Sequence, residues 1–366
     1  MQNRVLEPKL DFIPQELVSL KDYEEFTKSR VDDNAWAYIS GFAADEITAK
    51  TNKKAFENIS LLGRSLEDVK GGNTKLNLFG QEFDNPIILA PVAFQKLAHD
   101  LGEIATAQAS KAMGSCMVVS GFSSSTLEEI SNYADNLWFQ LYMQYDMKDN
   151  LSLIKKAEDL NYKALVITID APISGVRNKE QKAGFYLPNG IEAVNIKGFK
   201  QANMQIKDNQ SMVFDGIMAT APTWKDIEFI RKNTKLPLIL KGITHPSYAK
   251  KAIEFGVDGI VVSNHGGRVL DTLVTTMDIL PKIVEVVDNK IPILLDGGIT
   301  RGTDILKALA LGASAVMIGK PIMYALATAG ALGVAHSLKI LKDELEISMA
   351  LTGCKTLKDI NKDILF

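Results

Sequence analysis

The sequence contains only two cysteines in 366 residues, Cys116 and Cys354, and neither belongs to a CxxC pair. Both lie in apolar stretches, so a disulfide framework and a zinc site are not expected. Charge of one sign is not in excess either, because 41 Lys plus Arg stand against 44 Asp plus Glu. The absence of a basic stripe argues against nucleic acid as a partner. The absence of an acidic tail means that no disordered segment is indicated.

Long apolar runs and targeting signals are also missing. No apolar run approaches the roughly 20 residues that a membrane-spanning helix needs. The first four residues, MQNR, lack the apolar core of a signal peptide. We therefore expect a cytoplasmic protein without membrane insertion. A chain of this length with 46% hydrophobic residues can bury one large core, although length alone would also allow two domains.

The pattern of the chain changes after about residue 80. Residues 1–80 contain no strong strand pattern, and three short helices are predicted there. From residue 86 onward, short apolar runs alternate with helical stretches. The predicted helices lie at residues 23–28, 34–40 and 45–56, and the apolar runs at residues 87–90, 116–119, 138–142, 164–167, 238–240, 260–262, 293–295 and 315–318.

Eight β-like runs alternating with helices predict an α/β fold, a closed TIM (β/α)8 barrel. A doubly wound sheet is the alternative, but eight strands is the number that a TIM barrel requires. We expect residues 1–80 to form a helical segment packed on a barrel of residues 81–366, as a single domain. The long polar connection between the fourth and fifth runs predicts a lid loop at about residues 178–222. A helical pattern at residues 331–351 is expected to pack under the barrel or against the N-terminal helices.

Seven of the eight apolar runs end in, or are directly followed by, residues that could take part in catalysis or ligand binding. In a barrel, the carboxyl ends of the strands share one rim, where such enzymes place their sites. The sequence thus predicts a cluster of reactive side chains from distant parts of the chain. These residues are Pro91, Val92, Ala93, Ser120, Gln140, Tyr142, Thr168, Asp170, Lys241, His265 and Asp296.

Two glycine-containing turns follow the last two runs, DGGITRG at residues 296–302 and IGKP at residues 318–321. Backbone N–H groups at glycines and at a helix N-terminus can bind an anion. Barrels often bind phosphate with the loops after strands seven and eight. Because no GxGxxG follows a strand, a Rossmann dinucleotide site is not expected.

The most informative stretch is SNHGGRVLD, residues 263–271. His265 and Arg268 place a titratable base three residues from a fixed cation at a strand end, which suits proton removal from an anionic substrate. A lone histidine would more often be a satisfied core residue, but the paired glycines favour a functional loop. This stretch resembles the signature of the FMN-dependent 2-hydroxy-acid oxidases and dehydrogenases, the family of glycolate oxidase, lactate oxidase and mandelate dehydrogenase. The resemblance extends from about residue 20 to residue 358.

The resemblance implies roles for individual residues. His265 is the expected base, Asp170 orients it, and Tyr142 and Lys241 complete the catalytic set. Tyr38, Arg177 and Arg268, with Tyr142, are expected to bind the substrate. FMN, with its single phosphate, is the expected cofactor, and Lys241 would stabilise the reduced flavin. The remaining residues implied to bind FMN are Pro91, Val92, Ala93, Ser120, Gln140, Thr168, Ser263, Asp296, Gly297, Gly298, Thr300, Arg301, Gly319 and Lys320.

Three positions depart from the family pattern. Thr300 stands where a phosphate-binding arginine is usual, and Lys320 replaces a second arginine. We therefore expect weaker FMN binding than in arginine-bearing relatives, with Arg301 as a candidate substitute. Phe122 stands where glycolate oxidase-like members carry Trp and lactate oxidase-like members carry Tyr, which affects the expected substrate size.

The resulting expectation is an enzyme that oxidises a small L-2-hydroxy acid, with L-lactate the leading candidate, to the 2-oxo acid. The Cα-bound hydrogen of the substrate could leave as a hydride or as a proton ahead of the electrons, and both routes remain open. Electrons would pass to oxygen, giving hydrogen peroxide, or to a soluble or quinone acceptor. The resemblance also implies a homotetramer. The alternatives are another FMN barrel resembling isopentenyl-diphosphate isomerase, and a flavin-binding protein without turnover.

Overall fold

The computed structural model describes residues 5–202 and 206–366. The MQNR stretch at residues 1–4 and residues 203–205 of the predicted lid lie outside the described residues. Within the described ranges, twelve helices (α1–α12) and ten strands (β1–β10) are numbered below in chain order.

Eight parallel strands close into a barrel, in the order β10-β3-β4-β5-β6-β7-β8-β9. All eight runs predicted from the sequence form these strands, so the predicted TIM barrel is confirmed and the doubly wound sheet is excluded. The strands are β3 (Ile87–Leu89), β4 (Cys116–Ser120), β5 (Leu137–Leu141), β6 (Leu165–Thr168), β7 (Leu238–Ile243), β8 (Gly259–Val262), β9 (Ile293–Asp296) and β10 (Ala315–Ile318).

Side chains of the barrel strands alternate between two cores, because successive residues of a strand point to opposite faces. One set fills the barrel interior, and its neighbours pack outward against the surrounding helices. The interior set includes Ile88, Val118, Trp138, Val166, Ile239, Val261, Leu294 and Met317. The outward set includes Leu89, Val119, Phe139, Ile167, Leu240, Ile260, Leu295 and Val316.

A short antiparallel hairpin, β1 (Leu76–Leu78) and β2 (Gln81–Phe83), covers the amino end of the barrel. The rings of Phe79 and Phe83 meet the buried Trp138 edge-on, and Gln81 Oε1 accepts a hydrogen bond from Trp138 Nε1 at 3.0 Å. The sequence prediction missed this hairpin, because strands of three residues give no readable alternation.

The three helices predicted in the N-terminal segment are confirmed as α1 (Leu20–Lys28), α2 (Asp33–Ser40) and α3 (Ile47–Glu57). The remaining helices surround the barrel, and α12 packs against α1, α4 and α11. They are α4 (Gly102–Ala112), α5 (Leu127–Ser131), α6 (Met147–Asp159), α7 (Asn178–Ala183), α8 (Trp224–Asn233), α9 (Pro246–Glu254), α10 (Thr276–Val287), α11 (Gly302–Ala310) and α12 (Lys320–Leu351).

Helix α12 starts eleven residues before the predicted helix and bends where Gly330 leaves helical geometry. Among the described residues, α12 is the one helix whose length and composition would allow it to cross a membrane. Of its most apolar window, 72% is buried inside the protein. This burial is typical of a core helix and accounts for its apolar composition.

The connection expected to act as a lid begins with α7 and contains short helical turns before α8. Its first part is attached to the N-terminal segment. Asn34 Nδ2 donates to the Tyr186 carbonyl at 2.9 Å, and the Tyr186 N–H donates to Asn34 Oδ1 at 3.0 Å. Phe185 stacks on Tyr38 with ring centroids 5.0 Å apart. The start of this connection therefore lies against α2, beside the carboxyl rim.

Trp138→Ala should lower the free energy of unfolding by about 3–5 kcal/mol, because it empties a fully buried site between the hairpin and the barrel. Urea denaturation followed by circular dichroism measures the change. Trp224→Ala on α8 is the control, since that ring is only partly buried and should cost clearly less. Equal losses for the two variants would contradict a structural role for the hairpin.

Candidate functional site

The loop after β8 has an unusual backbone. His265, Gly266 and Gly267 all have positive φ, at 56°, 61° and 77°. A left-handed conformation is unfavourable for a residue with a side chain, and the surrounding structure must stabilise it. At Gly267 the constraint is also steric, because a Cβ there would lie 2.8 Å from the Ala49 nitrogen. The lack of a side chain at Gly267 therefore allows this loop to approach α3 closely.

Asn264 and Asp271 fix this loop to the N-terminal segment. The amides of Asn52 and Asn264 exchange two hydrogen bonds, at 2.9 and 2.8 Å, in the interior. Asp271 accepts hydrogen bonds from backbone N–H groups at the start of α3, including Thr48 at 2.7 Å. Satisfied buried polar groups of this kind specify one arrangement. Nothing in the local sequence around Asn52 indicates this role, so it was not predicted.

His265 and Asp170 lie together at the rim, as predicted. The His265 Nδ1 atom is 2.9 Å from Asp170 Oδ1. Burial opposes ionisation of Asp170, but the charge and hydrogen bond of His265 and the charge of Lys241 hold the pKa of this carboxyl below its usual value. A carboxylate at Nδ1 leaves Nε2 as the nitrogen that can exchange a proton.

Tyr142 lies on the other side of the imidazole. Its hydroxyl is 3.4 Å from His265 Nε2, and the two rings are nearly parallel. Burial and the charge of Asp170 raise the pKa of Tyr142, so the phenol stays protonated and can donate a hydrogen bond. Nε2 and the phenol thus point to a common position at the rim.

The two predicted substrate-binding arginines are also brought together. Arg268 Nη1 donates to the carbonyls of Tyr38, at 3.0 Å, and Gly41. Its guanidinium lies over the Tyr38 ring, 5.2 Å from the centroid. Glu180 on α7 accepts hydrogen bonds from both Arg177, at 3.1 Å, and Arg268, at 3.4 Å. Glu180 was not predicted, because a glutamate in a short polar helix reads as an ordinary surface residue.

A row of aromatic rings extends along the same side of the rim. Phe122 lies 4.7 Å from Tyr142 and 6.4 Å from Phe94, measured between ring centroids. Phe94 in turn meets the Tyr38 ring edge-on. This aromatic wall (Tyr38, Phe94, Phe122, Tyr142) bounds the space beside the arginines and the imidazole. It offers an apolar surface to a small side chain.

Lys241 of β7 and Asp296, the last residue of β9, form an ion pair. Lys241 Nζ is 2.7 Å from Asp296 Oδ2 and also donates to Ser263 Oγ at 2.9 Å. Burial opposes its charge, but Asp296 and Asp170 hold the pKa of Lys241 above its usual value. The short contact of Lys241 is with Asp296, and Asp170 acts on it through its charge. Lys241 is therefore a buried, permanent cation at the rim.

The residues expected to face the flavin ring lie at neighbouring strand ends. Gln140 Oε1 accepts a hydrogen bond from Ser120 Oγ at 3.1 Å. Gln140 Nε2 and Asp296 Oδ1 are buried without a hydrogen-bond partner among the described residues. Buried polar atoms are normally paired, so these atoms indicate a polar ligand. The other residues of this set, Pro91, Val92, Ala93 and Thr168, directly follow β3 or end β6.

The expected phosphate loops differ in part from the prediction. Gly297 and Gly298 have φ near 90°, and a Cβ at Gly298 would lie 2.8 Å from the Asn52 backbone. The Thr300 and Arg301 N–H groups donate to Asp304, and the Gly302 N–H donates to Glu344. These N–H groups at the start of α11 were expected to be free for an anion, but carboxylates already bind them.

The two basic side chains of these loops point away from them. The Arg301 guanidinium pairs with Glu344 on α12 at 2.9 Å. Lys320 Nζ donates to the carbonyls of Ser40, at 2.9 Å, and Gly41, at 3.1 Å. It also lies over the Phe42 ring. The Gly298 and Gly319 N–H groups make no hydrogen bond to any described residue, so the backbone remains the main donor to an anion here.

Comparison with known proteins places this geometry among flavoenzymes. Residues 27–366 match the model of the family described as FMN-dependent dehydrogenase. The chain is 42% identical over 349 residues to a protein named L-lactate oxidase from Roseobacter sp. (strain GAI101), covering 95% of this chain and 94% of that one. It is 41% identical to a 2-hydroxyacid oxidase of Dictyostelium discoideum, covering 95% and 90%.

The solved structures that resemble the chain include mandelate oxidase with (S)-2-phenylpropionate. The TM-score is 0.87 at 37% identity, covering 95% of this chain and 98% of that one. Another is a mandelate oxidase variant with a C4a-OH-FMN adduct, with a TM-score of 0.86 at 36% identity, covering 94% and 98%. The similarity therefore includes a structure in which FMN is present.

Gly266→Ala and Gly267→Ala should differ in their effect on stability. Both residues have positive φ, which costs alanine about 1–2 kcal/mol. Gly266 has no neighbouring atom within 4 Å of an added Cβ, whereas Gly267 faces the α3 backbone. We expect Gly267→Ala to cost about 3 kcal/mol in all. Thermal unfolding measures both, and an equal or larger loss for Gly266→Ala would contradict the packing of this loop on α3.

Proposed function

The chain belongs to the FMN-dependent dehydrogenase family, and on this premise we propose that it oxidises small L-2-hydroxy acids, L-lactate foremost, to 2-oxo acids. Its cofactor is FMN, and its relatives are oxidoreductases acting on the CH–OH group of such acids. One observation carries the proposal for this chain. The Asp170–His265–Tyr142 row stands beside two partly buried arginines that share Glu180.

In the proposed reaction, the arginines bind the substrate carboxylate. A guanidinium offers parallel donors that match a carboxylate, which would favour an acid over a neutral alcohol. Tyr142 donates to the substrate hydroxyl oxygen, and His265 Nε2 accepts one proton. This is the hydroxyl proton if the Cα hydrogen leaves as a hydride, or the Cα proton if it leaves ahead of the electron pair, in which case the hydroxyl proton is lost with the electrons. Asp170 stabilises the imidazolium that results. When bound, FMN supplies the two-electron acceptor.

The preference for lactate is supported by the aromatic wall. Phe94 and Phe122 border the space next to Tyr142, which leaves an apolar surface suited to a methyl group. The relatives named L-lactate oxidase support the same choice. Mandelate and glycolate are the competing substrates, because structures of mandelate oxidase and proteins named glycolate oxidase are also similar to this chain.

The electron acceptor, location and assembly are further parts of the proposal. Oxygen is the proposed acceptor, giving hydrogen peroxide, because the relatives are named oxidases. A cytoplasmic location and a homotetramer are carried over from the sequence and the family resemblance. Light scattering coupled to gel filtration tests the tetramer, and peroxide formation in air against turnover with a soluble quinone or dye tests the acceptor.

The residues at the rim fit FMN. Gln140 Nε2 has no acceptor among the described residues, and Lys241 supplies a buried cation at the same rim. The N–H groups of Gly298 and Gly319 are the available donors for the phosphate. Lys241 would stabilise negative charge on the ring.

Anaerobic mixing of the purified yellow protein with L-lactate, glycolate and L-mandelate tests the proposed function. The flavin absorbance near its visible maximum should fall fastest with L-lactate. A faster fall of the absorbance with glycolate or L-mandelate would make that acid, and not L-lactate, the preferred substrate. A protein that none of the three acids reduces would be a flavin-binding protein or an enzyme of another reaction.

His265→Asn should lower the rate of flavin reduction by L-lactate by about 10²–10⁴-fold while the FMN content stays the same. Asparagine is chosen because it tolerates the left-handed backbone at this position. His245→Asn is the control, since His245 lies at the exposed start of α9. Stopped-flow absorbance measures both rates. A rate within tenfold of the wild type for His265→Asn would mean that another group takes the proton.

Thr300→Arg should tighten FMN binding by about 10- to 150-fold. A charge-assisted hydrogen bond contributes roughly 1.5–3 kcal/mol, and the Arg301 and Lys320 side chains are held by other partners. Flavin fluorescence on dilution measures the dissociation constant. Ser152→Arg on the exposed face of α6 adds the same charge at a distance. No gain over this control would show that the phosphate is already fully bound.

A further inference from the structure

Glu180 connects the lid to the substrate-binding arginines. It lies on α7, the first helix after β6, and its side chain is only 14% exposed. The same oxygen, Oε1, accepts from Arg177 Nη1 and Arg268 Nη2. A carboxylate of the chain itself therefore bridges the two cations that the proposed function assigns to the substrate carboxylate.

The arginines keep donors for a second carboxylate. Arg268 uses Nη1 for the carbonyls of Tyr38 and Gly41, and Nη2 for Glu180. Arg177 Nε is buried without a partner among the described residues. A buried guanidinium nitrogen without an acceptor is costly, and an incoming anion would satisfy it. Glu180 thus leaves room for one more anionic group at this pair.

The two guanidiniums share one carboxylate oxygen and therefore lie close enough to repel each other. Burial and the charge of Arg177 both lower the pKa of Arg268. Glu180 offsets that repulsion, and with it the three groups carry a net charge of +1. One substrate carboxylate brings the net charge of the cluster to zero, whereas a dianion would leave an uncompensated negative charge in a partly buried place, which is unfavourable.

We propose that Glu180 is a positioning and specificity-determining residue, which holds both arginines in place and selects monoanionic over dianionic acids. The proposal rests on the proposed function only in the identity of the anion site. Its physical basis is the contact of one carboxylate with both arginines. Glu180 should therefore affect how well the site distinguishes a monoanionic ligand from a dianionic ligand of the same size and shape.

Other charges near the cluster do not reverse this argument. Lys320 lies behind Arg268 and shares the Gly41 carbonyl with it, and burial together with Arg268 holds the pKa of Lys320 well below its usual value. His265 and Asp170 pair with each other. Replacing Glu180 by a neutral residue therefore changes the cluster by one full charge, whatever the state of Lys320.

Oxalate and oxamate provide the matched ligands for the test, because they share size and shape but carry two charges and one. Their dissociation constants are measured by calorimetry on the FMN-loaded protein. Glu180→Gln keeps the length and an acceptor oxygen while removing the charge. It should strengthen oxalate binding at least about tenfold more than oxamate binding, since a charge within a few ångströms acts through a low effective dielectric.

Two further variants make the result specific. Glu192→Gln removes the same charge from the same connection, but Glu192 pairs with the exposed Lys197, so the ratio of the two constants should stay unchanged. Glu180→Asp should keep most of the wild-type ratio, because the charge remains. Glu180→Met supplies a second neutral variant of similar length if Glu180→Gln does not retain FMN.

The proposal would be overturned if the ratio of the oxalate and oxamate dissociation constants in the neutral Glu180 variant stayed within twofold of the wild-type ratio. It would also be overturned if Glu192→Gln changed this ratio as much as the Glu180 variant does. The test involves no turnover. If L-lactate fails to reduce the flavin, the proposed substrate is wrong, while the charge discrimination at Glu180 is still measured by the two anions.

Discussion

The reciprocal amide pair between Asn52 and Asn264 is the contact on which the candidate site depends. It joins α3, from the N-terminal segment, to the loop after β8, and it is buried on both sides. The next residue, His265, has a left-handed backbone that only a fixed loop can maintain. The N-terminal segment is therefore part of the site as well as a cover on the barrel.

Closure of the barrel supplies the second constraint. Parallel strands end at one rim, so residues as far apart in sequence as Asp170 and His265 come within hydrogen-bond distance. The amino end is closed by a hairpin packed on Trp138. The side chains of the candidate site therefore lie at the opposite end of the barrel from this hairpin.

Patterns within short stretches were readable from the sequence. The eight apolar runs predicted the barrel, and the polar residues after them predicted which side chains share the rim. The hairpin was not readable, because its strands are too short. Contacts that depend on distant partners were also missed. Nothing local shows that Asn52 pairs with Asn264, that Glu180 bridges two arginines, or that Glu344 binds the start of α11.

The directions of the Lys320 and Arg301 side chains in the expected phosphate loops also could not be predicted from local sequence. Their positions in the loops were correct, but their directions depend on carbonyls and carboxylates elsewhere. Lys320 reaches the end of α2, and Arg301 reaches α12. A side chain with four rotatable bonds takes the partner that tertiary packing offers, and a motif gives no information on that choice.

The proposed function requires that the arginine pair, Tyr142 and His265 share one position at the rim. A crystal structure of the FMN-loaded protein with pyruvate, the product of L-lactate oxidation, would show whether they do. We expect the pyruvate carboxylate on Arg177 and Arg268, and its keto oxygen within hydrogen-bond distance of Tyr142 Oη and His265 Nε2. A carboxylate bound away from the arginines, or a keto oxygen remote from His265, would contradict this arrangement.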